Sequence, residues 1–198
     1  LILLALALRK SRGLADELDR ELVGELQRLP LAVETALNVD DGLYRRATQK
    51  LSSATDSLYL GRGILYPIAL EGALKLKEIS YLHAEGYPAG EMKHGPIALV
   101  TEGFPVVAVA TATATREKLL GNLMEVKARG AAVMAVAEMG AGDVAEIAEL
   151  VLPVPDVHRL LQPVVAVVPL QLLAYNVAVE LGHDVDQPRN LAKSVTVE

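Results

Sequence analysis

Three ionisable residues recur at helical spacing along one run of the chain, Leu70-Glu71-Gly72-Ala73-Leu74-Lys75-Leu76-Lys77-Glu78-Ile79. At roughly 100° per residue, Glu71, Lys75 and Glu78 fall within a sector of about 60°. They form an ionic stripe on an otherwise apolar helix. The simpler reading is a solvated face laced by pairs three and four residues apart. The chemical reading is a carboxylate and an ammonium turned towards a ligand at a strand end, with Glu78 as a base and Lys75 stabilising developing negative charge. His94 stands at a break, just before Gly95-Pro96, which favours exposure over core packing. Its imidazole titrates near neutral pH and suits proton shuttling, although a lone exposed histidine commonly has no role. The last lysine, Lys193, lies in a tail, Asp186 to Glu198, that by composition passes as a frayed terminus. Folded over a site, it would be desolvated, its pKa would fall, and its amine would be free for carbonyl chemistry.

Two further segments invite a phosphate. Gly61-Arg62-Gly63 lacks the third glycine and the acidic partner of a dinucleotide fingerprint, so NAD binding is rejected. Thr111-Ala112-Thr113-Ala114-Thr115 follows a strand and precedes a helix, where hydroxyls and N–H groups can hold an anion. The preferred reading is plainer: Thr115 caps the helix. Four histidines, His83, His94, His158 and His183, show no metal-ligand spacing.

The elements that must position these groups follow from hydrophobic period. Up to about Lys50 the pattern is helical, with Leu14, Leu18, Leu22 and Leu26 on one face and Pro30 punctuating the arm before a second stretch, Leu31 to about Leu37. Asn38 to Gly42 reads as a turn. Strands are expected at Leu58–Leu60, Val106–Ala110, Val133–Ala137 and Leu150–Val154. Helices are expected at about Pro67–Leu82, Arg116–Arg129, Val144–Glu149 and Leu160–Leu181. Alternating strands and helices with continuous apolar strands mean an α/β fold with a parallel sheet covered on both faces. Ligands in such folds bind at the carboxyl ends of the strands, near Gly61–Gly63 and Thr111–Thr115.

Bulk properties exclude several classes. The 198 residues fit one domain with an extra helical arm, and 52% hydrophobic content argues against disorder. A net charge of -6 disfavours a broad nucleic-acid surface. With no cysteine there are no disulfides, thiolate catalysis or cysteine-bound zinc, and a cytoplasmic location is expected. The apolar run Leu1–Leu8 is too short to span a bilayer. No basic segment precedes it, so it is read as the remnant of a buried helix in a longer protein rather than as a signal peptide.

Taken in order, Leu58 to Gly63, Ala69 to Tyr81, Glu91 to Pro96 and Asp186 to Glu198 resemble the glucosamine-6-phosphate synthase family, the isomerising glutamine–fructose-6-phosphate aminotransferases. The likeness runs from about Leu58 to the C-terminus, and its last thirteen residues are the most specific part. It implies a sugar-isomerase (SIS) domain: a three-layer αβα sandwich, flavodoxin-like or Rossmann-like, preceded by a helical arm. Residues 1–50 would be the connector from an earlier SIS domain, 51–183 the second SIS domain, and 184–198 a catalytic tail. The family makes glucosamine 6-phosphate from fructose 6-phosphate and glutamine. By resemblance, Lys193 opens the sugar ring and forms a Schiff base, while Glu78 moves a proton between C1 and C2 with Lys75 as its partner. His94 assists ring opening from the neighbouring subunit of a homodimer. Glu71 lines the site and the backbone at Ala192 contacts the sugar. No cofactor or metal is implied, and no nucleic-acid or membrane partner. The glutaminase domain and the first SIS domain, with its phosphate-holding Ser/Thr loop, would be partners within a full-length chain. Two other readings stand beside this one: a non-catalytic sugar-phosphate-sensing SIS domain, and an isomerase of another sugar phosphate.

Overall fold

Runs of buried β-branched residues bounded by turns set the sheet, and apolar helices cover it. The computed structural model describes residues 1–191. Three helices come first: α1 (Ile2–Ser11), α2 (Glu17–Leu37) and α3 (Asp41–Ser52). The α/β part follows as β1 (Asp56–Gly61), α4 (Tyr66–Ser80), β2 (His83–Pro88), β3 (Pro105–Val109), α5 (Arg116–Lys127), β4 (Ala132–Glu138), α6 (Gly142–Ala145), β5 (Leu150–Val154) and α7 (Gln162–Glu180). Short 3₁₀ turns at Gly63–Leu65, Ala89–His94 and Pro96–Leu99 join them.

The sheet is parallel throughout, in the order β2-β1-β3-β4-β5. Register sets Leu58 opposite Val106 and Val106 opposite Val133, so alternate residues of each strand share a face. One face puts Tyr59, Val107, Val109, Met134 and Val136 against α3, α4 and α7. The other puts Leu58, Leu60, Val106, Ala108 and Ala135 against α5, α6 and the 3₁₀ segment at Ala89–His94. The result is the three-layer αβα sandwich with a parallel sheet that the apolar runs imply.

Three details differ from the sequence reading. Strand β2 has no counterpart among the expected strands, because His-Ala-Glu-Gly-Tyr-Pro has low strand propensity; it forms at the edge, paired with β1 alone. Its Gly86 is required by packing, since a Cβ there would lie 2.9 Å from the Cα of Leu70 on α4. Pro30 does not divide the arm: α2 runs through it as one helix of 21 residues. Proline removes one N–H and crowds the Leu26 carbonyl, yet Leu29, Ala32, Val33 and Ala36 pack against the core on both sides of it, and that burial holds the helix together. The turn at Asn38–Gly42 narrows to residues 38–40, with Asp40 capping α3 through the Gly42 N–H.

Helix α7 is long and apolar enough to cross a membrane, but 56% of that stretch is buried within the protein. Val165, Leu170, Leu173 and Val177 make it the central core helix. Helix α1 buries none of its residues and is tied to α2 by Arg9, which donates to Asp19 at 2.7 Å and to Asp16 at 2.9 Å.

Candidate functional site

The topology offers two places for chemistry. The first is the crevice at the carboxyl ends of β1 and β3, where strand order reverses. The loops Gly61–Gly63 and Thr111–Thr115 do meet there, as expected: a methyl group on Gly63 would lie 3.5 Å from Thr115 Oγ1. The crevice is closed from within. Thr111 Oγ1 donates to Gln162 Oε1 at 2.9 Å, and Gln162 Nε2 donates to the Ala112 carbonyl at 2.7 Å. The Ala112 N–H, a donor suited to phosphate, is taken by Glu138 Oε2 at 3.1 Å. Arg116 is paired with both Glu138 and Asp143. Two carboxylates therefore surround the Arg116 guanidinium, while Arg62 of the first loop donates to Asn122 Oδ1 at 3.3 Å, so an incoming anion would meet filled donors and negative charge. Thr115 occupies the N-cap position of α5 but makes no capping bond; its hydroxyl lies 3.1 Å from that of Thr113. The expectation of a side-chain cap is corrected on this point.

The second place is the solvent-facing stripe of α4. Lys75 Nζ donates to Glu78 Oε2 at 2.7 Å and lies 3.7 Å from Glu71 Oε1. All three side chains are about one-third exposed, at 34%, 36% and 27% for Lys75, Glu71 and Glu78. The Glu78 hydrogen bond raises the Lys75 pKa above the ordinary lysine value; partial burial opposes it, and the charges of Glu78 and Glu71 add to it. The triad is brought together as the spacing predicts, but not at a strand end. Helix α4 leaves the carboxyl end of β1 and returns to the start of β2, so Glu78, close before the C-cap Tyr81, sits towards the amino edge of the sheet.

At that end of α4 the chain closes on itself. Tyr81 caps α4 in the left-handed conformation, with φ of 62°. Its hydroxyl accepts the Arg189 N–H at 2.9 Å, and the Arg189 guanidinium carbon lies 4.0 Å over its ring. The His183 ring meets the same tyrosine edge-on at 4.7 Å. The start of the tail is thus fastened to the residue that caps α4, three positions after Glu78. Lys193 and Ala192 lie outside the described residues.

His94 is elsewhere. It ends the 3₁₀ segment that follows β2, on the α5 side of the sheet, where its neighbour Lys93 pairs with Glu125 at 2.7 Å. Its side chain is 75% exposed and lies 3.7 Å from Glu91. Within one chain it is not brought to Lys75 and Glu78. A cavity of about 500 Å³ lined by Lys50, Asp56, Glu102 and Phe104 contains none of the candidate residues. Among the described residues no cluster of three metal-ligating side chains occurs.

Sequence reasoning gave no role to Tyr81, Arg189, Gln162 or Glu138. Tyr81 and Arg189 are 108 residues apart, and nothing local in the sequence signals either the contact or a tyrosine with positive φ.

Comparison with known proteins agrees with this architecture. The chain is 56% identical, over 197 residues, to glutamine–fructose-6-phosphate aminotransferase [isomerizing] of Thermus thermophilus, covering 99% of this chain and 32% of that protein. It is 52% identical to the protein of the same name from Gloeobacter violaceus, with the same coverage. It therefore spans about a third of the length of these curated relatives. The solved C-terminal domain of glucosamine-fructose-6-phosphate aminotransferase from Francisella tularensis superposes with a TM-score of 0.83 at 41% identity, covering 92% of this chain and 51% of that one. Residues 50–181 match the SIS domain, and the chain belongs to the SIS-domain family.

Proposed function

We propose that this chain is the sugar-isomerising part of a glutamine–fructose-6-phosphate aminotransferase, a cytoplasmic homodimer that makes glucosamine 6-phosphate. Its substrate is fructose 6-phosphate, and its partners within the full-length enzyme are a glutaminase domain and an earlier SIS domain. The observation that carries this reading is the fastening of the tail. Arg189 is bound to Tyr81 at the end of α4 that bears Lys75 and Glu78. Lys193 is four chain steps beyond Arg189, a covalent reach of up to about 14 Å. A lysine, a carboxylate and a second ammonium are what aldose–ketose interconversion through an imine requires. The Lys193 amine forms the imine at C2 with loss of water, ammonia from the glutaminase domain displaces the lysine, Glu78 shuttles the proton between C1 and C2, and Lys75 stabilises the developing oxyanion. Glu71 flanks Lys75 and lines the site, and the backbone at Ala192 contacts the sugar. His94 assists ring opening in the site of the neighbouring subunit.

The closed crevice at Thr111–Thr115 supports placing the phosphate grip in the earlier domain. Isolated, this chain then binds fructose 6-phosphate weakly, and micromolar affinity by calorimetry would contradict that placement. In the full-length enzyme, Lys193→Ala abolishes sugar isomerisation and leaves glutamine hydrolysis measurable. If isomerisation survives, the Schiff-base assignment is wrong.

A further inference from the structure

Tyr81 is the one non-glycine residue besides Asn190 with positive φ among the described residues, and both sit where the tail meets α4. A bulky aromatic residue seldom adopts this conformation, and it persists only where its surroundings over-determine it. Here the residue ends α4, its N–H donating to the Lys77 carbonyl at 3.2 Å, and the following chain packs on its ring. One ring takes three contacts: the backbone N–H of Arg189 on its hydroxyl, the Arg189 guanidinium on its face, and His183 at its edge. Directly after Arg189 the chain turns again at Asn190, with φ of 62°, a residue type that tolerates this region.

We infer that Tyr81 and Arg189 form a clasp that fixes the start of the tail to the end of α4, and that isomerisation depends on this fastening. This rests on the reading above and deepens it. Neither residue touches substrate; both act through the tail and are positioning residues. A misplacement of about 1 Å in such an arrangement costs about 100-fold in rate, so the clasp acts on turnover more than on binding.

The test uses three variants of the full-length enzyme. Tyr81→Asn keeps a residue tolerant of left-handed backbone and removes the ring. Tyr81→Phe removes only the hydroxyl, and Arg189→Ala removes the cation from the tail side, where folding of the sheet is unaffected. Two readouts are taken: hydrogen exchange of the segment containing the Arg189 amide, and kcat and KM for isomerisation alongside glutamine hydrolysis. The clasp predicts faster exchange at Arg189 in Tyr81→Phe and Tyr81→Asn. It also predicts kcat for isomerisation down by about 10- to 100-fold in Tyr81→Asn and Arg189→Ala, with KM changed less. Tyr81→Phe should retain most activity, and glutamine hydrolysis should stay within about twofold in all three. Unchanged exchange at Arg189 overturns the clasp whatever the rates. Faster exchange with undiminished isomerisation overturns its positioning role if Lys193→Ala is inactive. If Lys193→Ala is itself active, the functional reading fails, while faster exchange still establishes the clasp.

Discussion

The ammonium of Lys75 lies between two carboxylates, and the nearer one, Glu78, sets its behaviour. A hydrogen bond of 2.7 Å from Lys75 Nζ to Glu78 Oε2 raises the lysine pKa above its ordinary value of 10.5. Lys75 is therefore a fixed cation through the neutral range, suited to holding an oxyanion and unsuited to taking a proton. The sign of its linkage to stability follows. The contribution of the pair is complete below the unfolded value near 10.5 and is lost as pH rises through the higher folded value. A titration of the Lys75 side chain by NMR should give a midpoint above that of a free lysine; a midpoint below it would contradict the pairing. In the proposed reaction Glu78 is the complementary base. In the full-length enzyme Glu78→Gln should lower isomerisation by about 10²- to 10⁴-fold while glutamine hydrolysis is retained. Comparable loss of both activities would mark Glu78 as structural only.

Helices and strands differ in how openly they announce themselves. Strands β3 and β4 are buried on both faces and read as continuous runs, Val-Val-Ala-Val and Val-Met-Ala-Val, which is why the sheet was legible. Strand β2 was not, because an edge strand that packs its Gly86 against α4 needs no apolar run. The ionic stripe of α4 was legible from spacing alone. Its distance from the strand ends was not, because that depends on which edge of the sheet α4 returns to. The clasp left no local trace, since its halves meet only after α4 and α7 have packed together. That packing is apolar: Leu170 and Leu173 of α7 are fully buried with Ala69, Ala73 and Leu76 of α4. Leu173→Ala should destabilise the protein by about 2–5 kcal/mol, read as a lower urea midpoint. Leu4→Ala on the exposed α1, where Leu4 is 58% exposed, should shift the midpoint by less than about 0.5 kcal/mol. Equal effects would mean that α7 does not carry the core.

At the scale of the whole molecule, the sheet keeps two of the candidate residues apart. Glu78 is on α4, which covers one face; His94 follows β2 on the α5 side and is exposed. If both residues serve one substrate, as proposed, the His94 of that site comes from a second copy. An isologous dimer gives two such sites, each built from both chains. This predicts complementation. Full-length Glu78→Gln and His94→Ala enzymes are each inactive in isomerisation, because every site carries a defect. In a mixed dimer one site collects both defects and the other is intact. Random re-association of equal amounts makes about half of the dimers mixed, and half of their sites whole, so isomerisation should return to about a quarter of the wild-type rate. If both residues served a site within one chain, every site in the mixture would stay defective and no activity would appear.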